Sequence, residues 1–382
     1  MPESGSYSRE TILAFSLVAL VVSFAIAGVA SRLYHGQQAS MARQWYQRGN
    51  AELAAGHATT AVDDFSNALV YSRDNDLFEL HLAQAFIAAG RPPEARAHLE
   101  EIWERTPGSG IVNLELARLA AQRGDSSEAV RYYNNAIYGV WEGEAEQQER
   151  RRDAEFELYK FLMKQGQGAQ AEAELVAIAA GLPADPALHI QVGKLMLGNS
   201  DFAHALSEFR TALEVGRAQP EALEGAGEAS FQLGDYPTAV RYLEQAIRNK
   251  TSKPTARQLL EISQAVLNLD PFDSRLGASE RARRASRSLA LAIARLDSCT
   301  GRNIQDRTAT LPADLQNLYS QARKMQAQGS INSLQRHPEE IGPLMDLVAN
   351  LETAAVKSCG ESSEAADRAL LLIARQRGGT LP

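Results

Sequence analysis

Hydrophobic positions change their spacing twice along the chain. An unbroken apolar run at the amino end gives way to a repeating pattern that lasts to about residue 270. Helical patterning without a fixed period follows. The first run, TILAFSLVALVVSFAIAGVA at residues 11–30, has no charge, and only Thr11, Ser16 and Ser23 are polar. A helix of that length rises about 30 Å, enough to cross the hydrocarbon core of a bilayer. The pattern predicts a transmembrane anchor helix over 11–30, preceded by a tail at 1–10 and followed by a linker at 31–41. The alternative is a cleaved signal peptide, since Ala25-Ile26-Ala27 has the small-x-small form of a cleavage site. The preceding MPESGSYSRE holds one Arg and two Glu, a poor positive leader. An uncleaved single-pass anchor is the better reading.

Beyond residue 41 the chain repeats. A small turn residue is followed five positions later by Ala, four later by a bulky residue, and three later by another core residue. Gly56, Ala61, Phe65 and Ala68 begin the series. It recurs at Gly90, Ala95, Leu99 and Ile102, then at Gly124, Ala129, Tyr133 and Ala136. Gly166, Ala171, Leu175 and Ile178 continue it, then Ser200, Ala205, Phe209 and Ala212, and Gly234, Ala239, Leu243 and Ala246 close it. The alanines are separated by 34, 34, 42, 34 and 34 residues. Seven positions before each turn stands Gly49, Ala83, Ala117, Tyr159, Gly193 or Gly227, small in every unit but the fourth.

Each unit reads as two antiparallel helices. A left-handed residue ends the first helix, small residues let the pair approach, and the bulky column fills the space between units. No unit buries its own apolar face, so stacking supplies the core. The eight-residue excess, within YGVWEGEAEQQERRRDAE, is expected to extend a second helix and then form a charged connection, with Trp141 as a packing plug.

These residues resemble the tetratricopeptide repeat family, as a membrane-anchored, bacterial-type member. Trp45-x3-Gly49 and Ala61-x3-Phe65-x2-Ala68 match its signature. The likeness covers residues 42–270, with six units and a degenerate seventh around 257–267. It implies an all-α protein: a transmembrane helix, then a repeat α-solenoid. It also implies a concave groove, lined by the first helices, that holds a segment of a partner protein. The side chains six positions before each turn face that groove in the family; here they are Asn50, Gln84, Arg118, Lys160, Lys194 and Glu228. Four positions earlier come Tyr46, Leu80, Leu114, Phe156, Ile190 and Glu224. An apolar row beside a polar one suits a peptide, and Arg118, Lys160, Lys164 and Lys194 would form a positive stripe. The family's full Lys-and-Asn clamp for a terminal carboxylate is not present.

Residues 271–382 keep helical patterning over 279–296, 312–328, 338–357 and 363–377, which predicts a helical bundle capping the last repeat. Ser363 is the expected amino-terminal cap of the final helix. Arg281, Arg283, Arg284 and Arg287 read either as a solvated face or as a contact for lipid head groups or an acidic partner.

Composition narrows the function. The chain has 382 residues and a net charge of −8, which argues against a nucleic-acid binder. Residues 1–272 hold 24 basic and 35 acidic side chains, and residues 273–382 hold 15 and 12. The body is acidic and the end mildly basic. No phosphate loop, nucleotide-binding glycine motif, metalloprotease helix or serine-nucleophile elbow is present. The seven histidines are scattered. The expectation is a non-catalytic scaffold with no cofactor, metal, nucleic acid or small-molecule substrate. It binds a protein or peptide and is tethered to the cell (inner) membrane through residues 11–30. The alternatives are a periplasmic or secreted binding protein after cleavage, and an enzyme site in the terminal bundle that no motif supports.

Charges flanking the anchor leave its orientation tied. Arg32, Arg43 and Arg48 favour a cytoplasmic body, whereas a short amino tail favours the opposite. The two cysteines, Cys299 and Cys359, end two predicted helices. A disulfide between them would persist only outside the cytoplasm, which tips the expectation to an extracytoplasmic solenoid. Two buried free thiols are the alternative.

Overall fold

The turn residues of the repeat adopt the backbone their chemistry suggests. Gly56, Gly90, Gly124, Gly166 and Gly234 have φ between 72° and 83°. Ser200, in the same column, has φ 64°, the one non-glycine residue with positive φ among the described residues. The computed structural model describes residues 9–216, 219–248, 253–299 and 313–376, and these residues form α-helices joined by short turns.

Contacts divide the chain into two compact units, Met1–Glu174 and Leu175–Pro382. The first holds α1 (Arg9–Ala54), α2 (Ala58–Tyr71), α3 (Asp76–Ala88), α4 (Pro92–Arg105), α5 (Gly110–Arg123), α6 (Ser126–Ile137) and α7 (Glu144–Lys164), and it ends within α8 (Gly168–Ala180). α1 packs on α2, α3 on α4 and α5 on α6, and each second helix packs on the next first helix. The second unit contains α9 (Pro186–Gly198), α10 (Phe202–Val215), α11 (Pro220–Gln232), α12 (Tyr236–Arg248) and α13 (Pro254–Leu269). It continues through α14 (Ala278–Cys299), α15 (Ala313–Gln328), α16 (Ile331–Arg336), a 3-10 turn at Pro338–Glu340, α17 (Ile341–Cys359) and α18 (Ala365–Gln376).

Helix starts follow local chemistry. Asp125 and Asp201 accept hydrogen bonds from the backbone N–H three residues on, and Asp185 from the one two residues on. Pro92, Pro186, Pro220 and Pro254 stand in the first turns of their helices, where no intrahelical donor is needed.

Packing within each pair is close because one side of it is small. All six repeat alanines, from Ala61 to Ala239, are fully buried, and the bulky column from Phe65 to Leu243 is at most 4% exposed. A Cβ placed on Gly49 would lie 2.8 Å from the Phe65 ring, and one on Gly193 would lie 2.9 Å from Phe209. Both distances are shorter than a methyl group tolerates, so these two positions accept only glycine without repacking.

The helix that opens the chain does not stop at the apolar run. α1 extends for 46 residues, about 69 Å, and residues 31–41, expected as a linker, are part of it. Its large apolar side chains from Leu13 to Val29 are 49–72% exposed. The eight-residue excess also lies elsewhere than expected. α6 ends at Ile137, and the added length opens α7 rather than extending α6. Trp141 explains the break: it is 5% exposed, packs against Gly110 and donates from Nε1 to the Ala136 carbonyl at 2.9 Å. The plug expected from the sequence thus also terminates the helix.

In the second unit the last repeats and the terminal helices share one core, joining Tyr236, Val266 and Leu269 to Leu289, Leu296, Leu344 and Ile373. α13, the degenerate seventh unit, packs on α12 and on α18, so the last described helix covers the end of the repeat. Pro338 opens a 3-10 turn rather than α17, and α16 was not foreseen. Ser362 rather than Ser363 accepts the hydrogen bond at the start of α18, from the Glu364 N–H. The side chains of Cys299 and Cys359, and with them the bridge expected between them, lie outside the described residues.

A charged cluster joins three of the terminal helices. Arg295 on α14 pairs with Glu352 on α17 and lies 3.5 Å from Asp367 on α18, and it donates to the Gly360 carbonyl at 3.2 Å. Glu352 is fully buried, and its Oε1 has no partner among the described residues. Burial pushes its carboxyl up to about 7; Asp367 adds to the rise and Arg295 opposes it.

Two outcomes follow from this packing. Leu in place of Ala129 or Ala205 overpacks its helix pair and costs about 1–3 kcal/mol, read as a lowered urea midpoint. Glu352 holds its proton in the folded chain over a pH range where the unfolded chain has lost it. The stability it contributes is therefore full below the unfolded carboxyl value and falls as pH rises toward 7. Glu352→Gln removes that fall, on the order of 3 kcal/mol, and equals or exceeds the wild type in thermal midpoint at pH 8.

Candidate functional site

The first helices of the pairs, α1, α3, α5 and α7 in one unit and α9, α11 and α13 in the other, carry the residues expected to face a partner. In the first unit the apolar members are mostly covered. Leu80, Leu114 and Phe156 are 9%, 4% and 6% exposed. Tyr46 is half-buried, stacked on Phe78 with ring centroids 4.5 Å apart, and its hydroxyl lies 3.3 Å from Nδ1 of His81.

The polar members form a chain across neighbouring first helices. Gln84 Nε2 donates to Glu115 Oε1 at 3.0 Å, and Arg118 Nη1 donates to the same oxygen at 3.1 Å. Arg118 also grips Glu157 with two bonds, at 2.6 and 3.0 Å. Its charge is committed to two carboxylates, so the positive stripe expected from the sequence loses Arg118. Lys160 and Lys164 remain exposed, and Asn50 is half-exposed. Beside this chain, burial pushes the Tyr133 phenol up to about 12, with Glu157 adding to the rise.

In the second unit Ile190 is 8% exposed. Lys194 is exposed but bonded to Glu221, and that hydrogen bond holds the Glu221 carboxyl below its ordinary value. Glu224 accepts the backbone N–H of Lys253 at 2.9 Å, while Glu228 projects to solvent.

One polar column was not read from the sequence. Residues 19 apart face each other inside the second and fifth pairs. His98 Nδ1 lies 3.2 Å from Glu79, and His189 Nδ1 lies 2.7 Å from Glu208. Glu155 and Glu174 occupy the same register in the fourth unit, where burial raises both carboxyls and Glu155 further raises Glu174. The 34-residue register projects these residues onto one column, which was the signal available in the sequence.

Glu79, His98 and Glu101 also bring their ligand atoms within 4.8 Å of one another. Arg105 already bonds Glu79 at 2.5 Å and Asp76 at 2.8 Å, so a guanidinium supplies the positive charge a metal would bring. The arginines of α14 serve the fold in part. Arg284 donates to the carbonyls of Leu267 and Asp270, Arg281 to that of Ser274, and Arg283 pairs with Glu280, while Arg287 is exposed.

Charge reversal separates the two kinds of groove cation. Arg118→Glu leaves Glu115 and Glu157 facing a like charge and costs about 1–3 kcal/mol in urea unfolding, short of a fully buried pair because Arg118 is 40% exposed. Lys160→Glu, at an exposed position, leaves the midpoint within about 0.5 kcal/mol.

Residues 52–109 and 86–137 match one family model, and residues 193–254 match another, each described as tetratricopeptide repeat. No curated protein matches the chain. Among solved structures, pilF of Pseudomonas aeruginosa is 15% identical over 58% of this chain and 97% of its own, with a TM-score of 0.39. PilW, a type IV pilus biogenesis factor, is 18% identical over 57% of this chain and 98% of its own, at 0.37. YrrB, described as having an unusual peptide-binding site, is 17% identical over 50% and 95%, also at 0.37. Those scores carry no argument about this chain. The family models do: the segments 52–137 and 193–254 are tetratricopeptide repeats.

Proposed function

We propose that this is a single-pass membrane protein whose repeats hold a protein or peptide partner against their first helices, without catalysis. Residues 11–30 anchor it in the cell (inner) membrane, and the repeats stand on the extracytoplasmic side. The observation that carries the reading is the unbroken α1. It joins an exposed apolar segment to the first helix of the first repeat. Tyr46 and Asn50 lie 16 and 20 residues past Ala30 on the same helix, about 24–30 Å beyond the apolar segment. A partner engaged there stays close to the bilayer, and tethering raises its effective concentration for other membrane components. Asn50, Lys160 and Lys164 offer polar contacts in the first unit, and Lys194, beside the apolar Ile190, does so in the second. Gln84 and Arg118 set the spacing of the first helices, and Leu80, Leu114 and Phe156 hold them together.

The membrane side goes with a Cys299–Cys359 bridge. Support comes from Arg295, one turn before Cys299, which reaches the carbonyl of Gly360, next to Cys359. The native protein should give the intact mass of the whole chain, and thiols in denatured whole cells should alkylate only after reduction. A mass short by residues 1–27 would replace the anchor with a cleaved leader. Alkylation without reductant would remove the argument for the extracytoplasmic side.

A further inference from the structure

The second unit contains a cavity of about 150 Å³ between α11 and its neighbours α9 and α13. Its walls are apolar: Leu197 on one side and Leu259 on the other, both half-buried. The floor is the backbone of Gly225, where a Cβ would overlap the ring of Phe209 beneath. Only a hydrogen fits there, so the Gly225 backbone and the Phe209 ring together close the bottom of the cavity. The volume suits one long side chain.

The rim is charged and not balanced. Glu221, Glu224 and Glu228 face Lys194 and Lys253. Lys194 is committed to Glu221, and Glu224 takes the Lys253 backbone N–H. Glu228 is exposed, with no ion pair among the described residues. With three carboxylates to two ammonium groups on the rim, an acidic side chain entering here would meet net negative charge, and an apolar one would gain nothing from Glu228. A long cationic side chain satisfies both surfaces, because its methylene stem lies on apolar walls while its head stays at the wet rim.

We infer that this cavity receives an arginine or lysine side chain of a partner peptide, with the stem between Leu197 and Leu259 and the head at Glu224 and Glu228. The planar guanidinium of arginine fits two carboxylates better than an ammonium does. The inference rests on the reading of the repeats as a peptide-binding surface and adds the chemistry of the partner. It places a basic-residue site in the second unit, where the sequence suggested a positive stripe through Lys194.

The test uses the full-length protein in lipid nanodiscs, panned against a random twelve-residue peptide library. Selected peptides are then titrated by fluorescence anisotropy. The expected result is a shared basic residue whose replacement by Met weakens binding roughly tenfold or more. Glu228→Lys should weaken it by a similar factor at an unchanged thermal midpoint, Glu228→Gln by less, and added salt should weaken it progressively. Peptides that bind without a basic residue, or that bind Glu228→Lys and Glu224→Gln undiminished, would overturn the inference. If those peptides were lost on Lys160→Glu, a groove would stand with a different chemistry. Selection of no peptide at all would overturn the groove reading and this inference together.

Discussion

The structure depends on how closely two helices can approach within each pair. That approach requires a hydrogen or a methyl group on one helix wherever a ring or a branched chain sits on the other. Gly227 under Leu243, Gly49 under Phe65 and Gly193 under Phe209 are tight instances, and the buried alanines from Ala61 to Ala239 are the same rule with a methyl group. Once the pair is close, the bulky residue has no room to turn outward and becomes part of the surface on which neighbouring helices pack. The fourth unit, with Tyr159 in the small column, meets the rule differently, and it is also where the added residues and the unit division fall.

The apolar architecture was legible because every part of it is set by size and by backbone conformation at fixed spacing. The turn column held even at Ser200, which takes the left-handed conformation despite its side chain. An L-residue there costs about 1–2 kcal/mol, so the neighbouring helices impose the turn on a residue that does not prefer it. The end of the periodic pattern near residue 270 was also readable. Beyond it, where a capping bundle was expected, α13 to α18 join the last repeats in a common core. Periodicity reports where a repeat ends, not where a core ends.

The candidate site was less legible, and the reason is electrostatic. Whether Arg118 is available depends on Glu157, 39 residues away in the chain. That partner comes into reach only because of where the extra eight residues are accommodated. Hydrophobic spacing carries no information about such pairs. A row of basic residues in the sequence therefore turned out to include Arg118, which is bound internally, and Lys194, bonded to Glu221, beside the exposed Lys160 and Lys164. The same holds for the part-buried pairs of Glu79 with His98 and His189 with Glu208, which share a register but swap acid and base between units.

Because residues 31–41 are helical, the interval between the apolar segment and the first repeat is an angle as well as a length. Each residue added to or removed from that interval turns the repeat by about 100° about the helix axis while moving it only 1.5 Å. A flexible connection would tolerate small insertions and deletions freely. A stiff one restricts drift to near-whole turns, so lengths three or four residues apart keep nearly the same face, while one or two residues point it elsewhere. The phase of this shaft is thus a quantity on which selection can act, independently of any side chain that meets a partner.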